Sequence, residues 1–163
     1  MDPEAELLLH YLQGQRRHVL SALDSLTDEQ LLTPVMPTGW HLIGLIKHLS
    51  LADEHYWFRC VMAGEPFDFF PEGPNADWQL DPGETVADVL ARYRDECERS
   101  DEIIRATALD APPAQPDPMW EEWGMSFPSL RVIMLHMIVE VAAHAGHADA
   151  ARELIDGKQW VVV

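Results

Sequence analysis

Apolar residues recur at helical spacing through four long segments of this 163-residue chain, and no stretch of useful length alternates polar and apolar as a strand would. That pattern restricts the chain to helices packed on helices. The first segment runs from about Asp2, a side chain suited to cap a helix that has Pro3 at its first position, to about Leu26. Leu8, Leu12, Val19 and Leu23 share one of its sides. Thr27-Asp28-Glu29-Gln30 reads as a capping box that opens a short turn toward Pro34. The second segment begins near Thr38, carries Leu42, Leu45, Leu49, Ala52 and Tyr56, and stops at Gly64. The third runs from about Glu84 to Ala106 and turns Val86, Leu90, Tyr93, Cys97 and Ile104 toward the core. The fourth opens after Ser126 and Pro128, continues to Asp156 and ends at Gly157, a residue suited to a left-handed C-cap. Together the four predict a single all-α domain over residues 1–163, a four-helix bundle.

The connections are long. Residues 65–83 contain Pro66, Pro71, Gly73, Pro74, Pro82 and Gly83, and residues 107–127 contain Pro112, Pro113, Pro116 and Pro118. Loops of this length exceed the usual helix-to-helix span of about 2 to 8 residues. Both carry aromatic rings: Phe67, Phe69, Phe70 and Trp78 in the first, Trp120 and Trp123 in the second. Two readings follow, rings that staple the loops to the bundle or lids over a pocket.

Lys plus Arg number 11 against 28 Asp plus Glu, a net charge of −17, while 47% of the residues are hydrophobic. A chain with that apolar content buries a core, so the acidity belongs to a folded surface. It also argues against nucleic acid and anionic membranes, both of which select clustered Lys and Arg. Residues 65–128 hold 16 of the acidic side chains against 4 basic ones, so the charge concentrates on the loops and the third helix. No segment approaches 18 uncharged apolar residues, and Met1 to Glu6 is acidic where a secretory n-region is basic. Cys60 and Cys97 lie far apart and outside any CxxC motif, as expected of free thiols in a reducing cytoplasm.

The chemistry concentrates in the fourth helix. At about 100° per residue, His136, Glu140, His144 and His147 fall within about 80° of one another, on one narrow stripe. Arg131 and Asp149 fall opposite, which predicts that the stripe points inward. An ionised Glu140 in a helical core requires compensation, either from a bound cation or from an ion pair with His136 or His144. On the second helix His41, His48 and His55 recur every seven residues and so share one face. His48 lies among apolar neighbours, while His41 and His55 sit about 10 Å along the axis on either side, too far to ligate one ion with it. One His from the second helix with Glu140 and His144 makes a two-histidine, one-carboxylate set, which leaves coordination positions open for substrate.

His48 in the sequence Ile46-Lys47-His48-Leu49, followed by Asp53-Glu54-His55-Tyr56-Trp57 and by Glu140-x-x-x-His144-Ala145-Gly146-His147, resembles the DinB-like superfamily of metal-binding four-helix bundles. Within it the chain is similar to a branch related to mycothiol-dependent maleylpyruvate isomerase and to bacillithiol transferases. The resemblance covers roughly residues 3–157. It implies metal ligands at His48, Glu140 and His144, with Glu140 where many members have His and the isomerase type has Glu. His147 stands where many relatives have Gln, which implies a catalytic or substrate-facing role. His55, Trp78, Trp120 and Trp123 are then expected in the substrate pocket.

In the characterised relatives the metal activates a low-molecular-weight thiol, whose thiolate attacks an electrophile. The resemblance therefore implies a thiol-dependent S-transferase or isomerase, with a divalent metal, Zn or Ni ahead of Fe or Mn, and a thiol such as mycothiol as cofactors. The Arg-rich composition, nine Arg to two Lys, fits GC-rich coding and favours mycothiol over bacillithiol. A metal-dependent hydrolase and a non-catalytic metal- or ligand-binding stress protein are the competing readings. The relatives also imply a homodimer, for which Leu135, Ile138 and Ala142 offer an apolar surface, unless these side chains belong to the core.

Overall fold

The computed structural model describes residues 2–160, and among them every regular element is helical. Helix α1 spans Pro3–Ser21, with the Asp2 carboxylate accepting from the Glu4 N–H at 2.8 Å. It stops earlier than its apolar pattern, because the chain turns at Ser25, whose φ is +67°. Helix α2, Asp28–Leu31, is opened by the capping box, Thr27 and Gln30 exchanging both backbone-to-side-chain bonds. Helix α3, Leu42–His48, continues directly into a π-helix over Leu49–Met62. A single 3-10 turn, Ala76–Trp78, interrupts the first long loop, and the second holds the short α5, Met119–Glu122. Helix α4 spans Val86–Ala106 behind a second capping box, Thr85 with Asp88. Helix α6 spans Leu130–Asp156 and ends on Gly157, in the left-handed region at φ +77°.

Four long helical stretches thus form the bundle, α1, α3 with its π-helical continuation, α4 and α6. Helix α1 packs along α6, and α4 packs along α3 and the π-helix. Leu12, Val19, Leu42, Ile43, Leu45, Phe58, Tyr93, Ile133, Met137 and Val141 interlock at the centre. Each large aliphatic chain buried there contributes about 1.5 to 3 kcal/mol. One polar tie crosses the core: buried Arg16 on α1 grips Glu54 of the π-helix through two bonds of 2.7 and 2.5 Å and Asp101 of α4 at 2.6 Å. None of the described helices is long and apolar enough to cross a membrane.

The two loops fold differently. Trp120 of α5 is buried, stacks on Trp57 at 5.5 Å and donates its indole N–H to the Tyr56 hydroxyl, so the second loop is stapled to the bundle. Trp123, three residues on, is 58% exposed. The first loop lays its 3-10 turn directly on α3. Gly44 makes that approach feasible, since a Cβ there would stand 2.2 Å from the Trp78 carbonyl oxygen.

Candidate functional site

Helix α3 presents His48 at its last turn, and the 3-10 turn presents Asp77 and Trp78 to it. The His48 Nδ1 lies 2.6 Å from the Asp77 carboxylate, and the Trp78 indole stacks on the imidazole at 4.2 Å. An ionised Asp77 accepts the Nδ1 proton, which leaves Nε2 as the nitrogen carrying the lone pair. Across from it, on α6, stands His144, whose ring centre is 5.2 Å from that of His48. Burial, reinforced by the neighbouring His48 and His147, pushes the His144 imidazole down to about 4, so it is neutral near pH 7. His147 is exposed one turn further along, its Nδ1 3.4 Å from that of His144. Trp40 stands 6.4 Å from His147 and 6.1 Å from Trp78. Three imidazoles and two indoles therefore cluster between α3, α6 and the first loop.

The α6 stripe sits at the edge of the core and does not point into it. The Glu140 side chain is 40% exposed and lies 4.0 Å from His136. Arg131 and Asp149 mark the flank that meets α1, not open solvent: Arg131 pairs with Glu4 at 2.8 Å, and Asp149 pairs with His18 at 2.8 Å. The buried face, Ile133, Met134, Met137, Val141, Ala145 and Ala148, lies beside the stripe. Solvent reaches a third side, where Leu135 is 50% and Val139 65% exposed and Ala142 is also open. Among the described residues, no three His, Cys, Asp or Glu side chains are gathered closely enough to hold a metal ion.

The seven-residue spacing of His41, His48 and His55 does not place them on one face. His41 precedes α3 as its N-cap, its Nδ1 accepting from the Gly44 N–H at 2.9 Å. Beyond His48 the backbone bonds as a π-helix, closing with the Ala63 N–H on the Phe58 carbonyl, five residues back. That wider turn rotates His55 away from His48. His55 instead meets Glu96 of α4 at 3.1 Å and stacks on Phe69, beside the Arg59–Glu96 and Arg59–Glu65 pairs.

Three participants escaped the periodicity. Asp77 lies in a loop whose course no local pattern sets. Trp40 lies in the turn before α3. Asp53 is buried in the π-helix with its Oδ2 unpartnered. Burial, together with the charges of Glu54 and Glu140, holds the Asp53 carboxyl well above the usual carboxylate range. Both cysteines are free thiols held away from reactivity. Burial raises Cys60 to about 11 and pushes Cys97 higher still, so neither supplies a thiolate near pH 7.

A family model described as mycothiol-S-transferase matches residues 7–157. No curated protein and no solved structure matches the chain.

Proposed function

The chain belongs to the mycothiol S-transferase family of the DinB-like superfamily, and on that premise we propose that its thiol is activated in the cleft between His48 and His144. Family membership makes the reaction a mycothiol-dependent S-transfer. The observation that carries the placement is the pair of imidazoles from two helices, ring centres 5.2 Å apart, one of them oriented by a carboxylate.

In this reading His48 and His144 would hold a divalent cation, and Glu140, one turn before His144, would supply the third donor. The donor types suit such an ion, and holding it requires the exposed Glu140 to turn from His136 toward the imidazole pair, since no three donors among the described residues are gathered there as the chain stands. A histidine whose Nδ1 is bound by a carboxylate is the usual form of a metal-ligating imidazole, and a neutral His144 offers a lone pair without losing a proton. Two imidazoles and a carboxylate suit Zn or Ni. When bound, such a cation lowers the pKa of a thiol in its open position.

The chain's own residues do the rest. Asp77 holds the His48 ring in one orientation, and Trp78 shields its face from water. His147, exposed at the mouth, accepts the thiol proton and passes it to solvent or to the leaving group. The thiolate sulfur then forms its bond to an electrophilic carbon as the leaving group departs with the bonding pair. Because Cys60 and Cys97 are both held protonated, the attacking sulfur comes from the small thiol. A reducing cytoplasm suits that cofactor and two free cysteines. Of the three apolar side chains expected to offer a pairing surface, Ile138 packs against the core, while Leu135 and Ala142 are exposed and with Val139 beside them suit pairing with a second copy.

The test combines metal content with turnover. Purified chain supplemented with Zn or Ni is expected to retain about one ion per protein, with His48→Ala and His144→Ala losing it. The wild type is expected to consume a chromogenic electrophile faster with mycothiol than without a thiol. An unchanged metal content in both variants removes the ion from this cleft. No thiol-dependent rate overturns the assignment of the reaction to it.

A further inference from the structure

We infer that a cavity between the π-helix, α4 and the first long loop binds a small zwitterion of the α-amino-acid class with an apolar side chain. Arg92 takes its carboxylate and Glu96 its ammonium group. The site is separate from the imidazole cluster and does not depend on the proposed thiol chemistry.

The cavity measures about 290 Å³, near the lower end, about 300 Å³, of sites that take small molecules. Lys47, His55, Asp81, Arg92 and Glu96 form its polar wall, and Leu51, Phe69 and Pro71 its apolar one. Although the chain as a whole carries −17, this wall sets two cations, Lys47 and Arg92, against two carboxylates, Asp81 and Glu96. Lys47 has nothing left to offer a ligand. Its buried ammonium donates to the Gln79 carbonyl at 2.7 Å and pairs with Asp81 and Glu84 at 2.9 and 3.0 Å, which uses all three N–H bonds. The same bonds fasten the loop that carries Asp81.

Arg92 and Glu96 stand one turn apart on α4, the spacing at which Arg and Glu ordinarily pair. Here they part. Arg92 reaches back to Glu84 at 2.6 Å, and Glu96 gives its Oε1 to His55 and Arg59 at 3.1 and 2.9 Å. Glu96 Oε2 is left buried without a hydrogen-bond donor among the described residues, in a side chain that lines the cavity. An acceptor in that state has lost its hydration with nothing to offset the loss. Arg92 is partly exposed and commits one nitrogen to Glu84, so its other N–H bonds face no competing carboxylate of their own turn.

A positively charged donor suits the orphaned carboxylate oxygen, and a two-oxygen anion suits the guanidinium. The two positions are about 5 to 6 Å apart at their Cβ atoms, and an α-amino acid carries both groups on one carbon. Its side chain then lies toward Leu51, Phe69 and Pro71, which favours an aliphatic one. Phe69 is held in place by stacking on His55 at 4.0 Å. A bare metal cation is opposed by Lys47 and Arg92, and a lone anion by Asp81 and Glu96. A singly charged organic ligand leaves one of the two positions unmatched.

Calorimetric titration of the full chain with L-leucine, 4-methylpentanoate and 3-methylbutylamine tests the two poles separately, because the second lacks the ammonium group and the third the carboxylate. L-Leucine is expected to bind, and each analogue to bind at least about tenfold more weakly. Glu96→Gln is expected to weaken leucine by a similar factor and to abolish its advantage over 4-methylpentanoate. Arg92→Gln is expected to do the same with respect to 3-methylbutylamine, and its partly exposed position keeps the test available if Glu96→Gln fails to fold. His48→Ala is expected to leave leucine binding unchanged. Absence of leucine binding to the wild type overturns the inference, as do unchanged affinities in Arg92→Gln and in a folded Glu96→Gln. Loss of leucine binding in a folded His48→Ala also overturns it, by moving the ligand to the imidazole cluster. Leucine binding without any thiol-dependent turnover supports the cavity while overturning the proposed chemistry, so the two failures are distinguishable.

Discussion

His48 and Asp77 lie 29 residues apart in sequence and share a 2.6 Å bond between imidazole nitrogen and carboxylate, with Trp78 stacked on the same ring. The carboxylate selects the tautomer of His48, and the indole limits its rotation. Asp77→Asn retains the shape and removes the charge. It is expected to weaken Zn binding by about 10- to 100-fold, read by titration with a competing chelator. An affinity equal to wild type would show that Asp77 does not orient the ring.

Gly44 is the notch that lets this turn reach α3. Gly44→Ala would bring a Cβ to 2.2 Å from the Trp78 carbonyl, so the turn must move. The contact is to backbone and has no flexible end to yield. Denaturant unfolding is expected to show a loss of about 1 to 3 kcal/mol, together with weaker metal retention from the displaced Asp77. Wild-type stability and metal content in Gly44→Ala would contradict the close approach.

The Arg16–Glu54–Asp101 tie joins three helices in the core. Glu54→Gln removes one of the two carboxylates that hold buried Arg16 and leaves it with Asp101, so a loss of about 1 to 3 kcal/mol is expected. Replacing the ion pair as a unit, with Arg16→Met and Glu54→Leu together, is expected to be milder, because no buried charge remains at these two positions and Asp101 keeps Arg105 and Gln13. Urea midpoints of the single and double variants decide this.

Acid is expected to weaken the metal-free fold through His144. Its folded pKa, about 4, lies below the usual 6.5, so the unfolded chain binds the proton first. Stability is therefore full above about pH 6.5 and falls as the pH drops from 6.5 toward 4. Solvent reaches the ring, so the contribution is about 1 kcal/mol after screening. His144→Asn is expected to flatten that part of a stability-against-pH curve. An identical slope in the variant would remove His144 as its source.

The helices and their caps were legible in the sequence because local interactions build them. The Thr27–Gln30 box bonds within one turn, and Gly157 closes α6 by its own backbone freedom. The acidic middle segment was legible as well, since charge requires no fold to be counted. The residues carrying the imidazole cleft were also visible, His48, His144 and His147 among them, because polar side chains on apolar helices are conspicuous.

Tertiary structure decided how those side chains are used. The π-helix after His48 turned His55 to Glu96, a change of hydrogen-bond register that seven-residue spacing does not report. Helix α1 claimed Arg131 and Asp149, and so shifted the Glu140 stripe from the core to its edge. Asp77 reached His48 only because a long loop found the Gly44 notch. Local pattern determined which segments become helices. The partners of each histidine were set by packing between elements far apart in the chain, where no periodicity links one residue to the other.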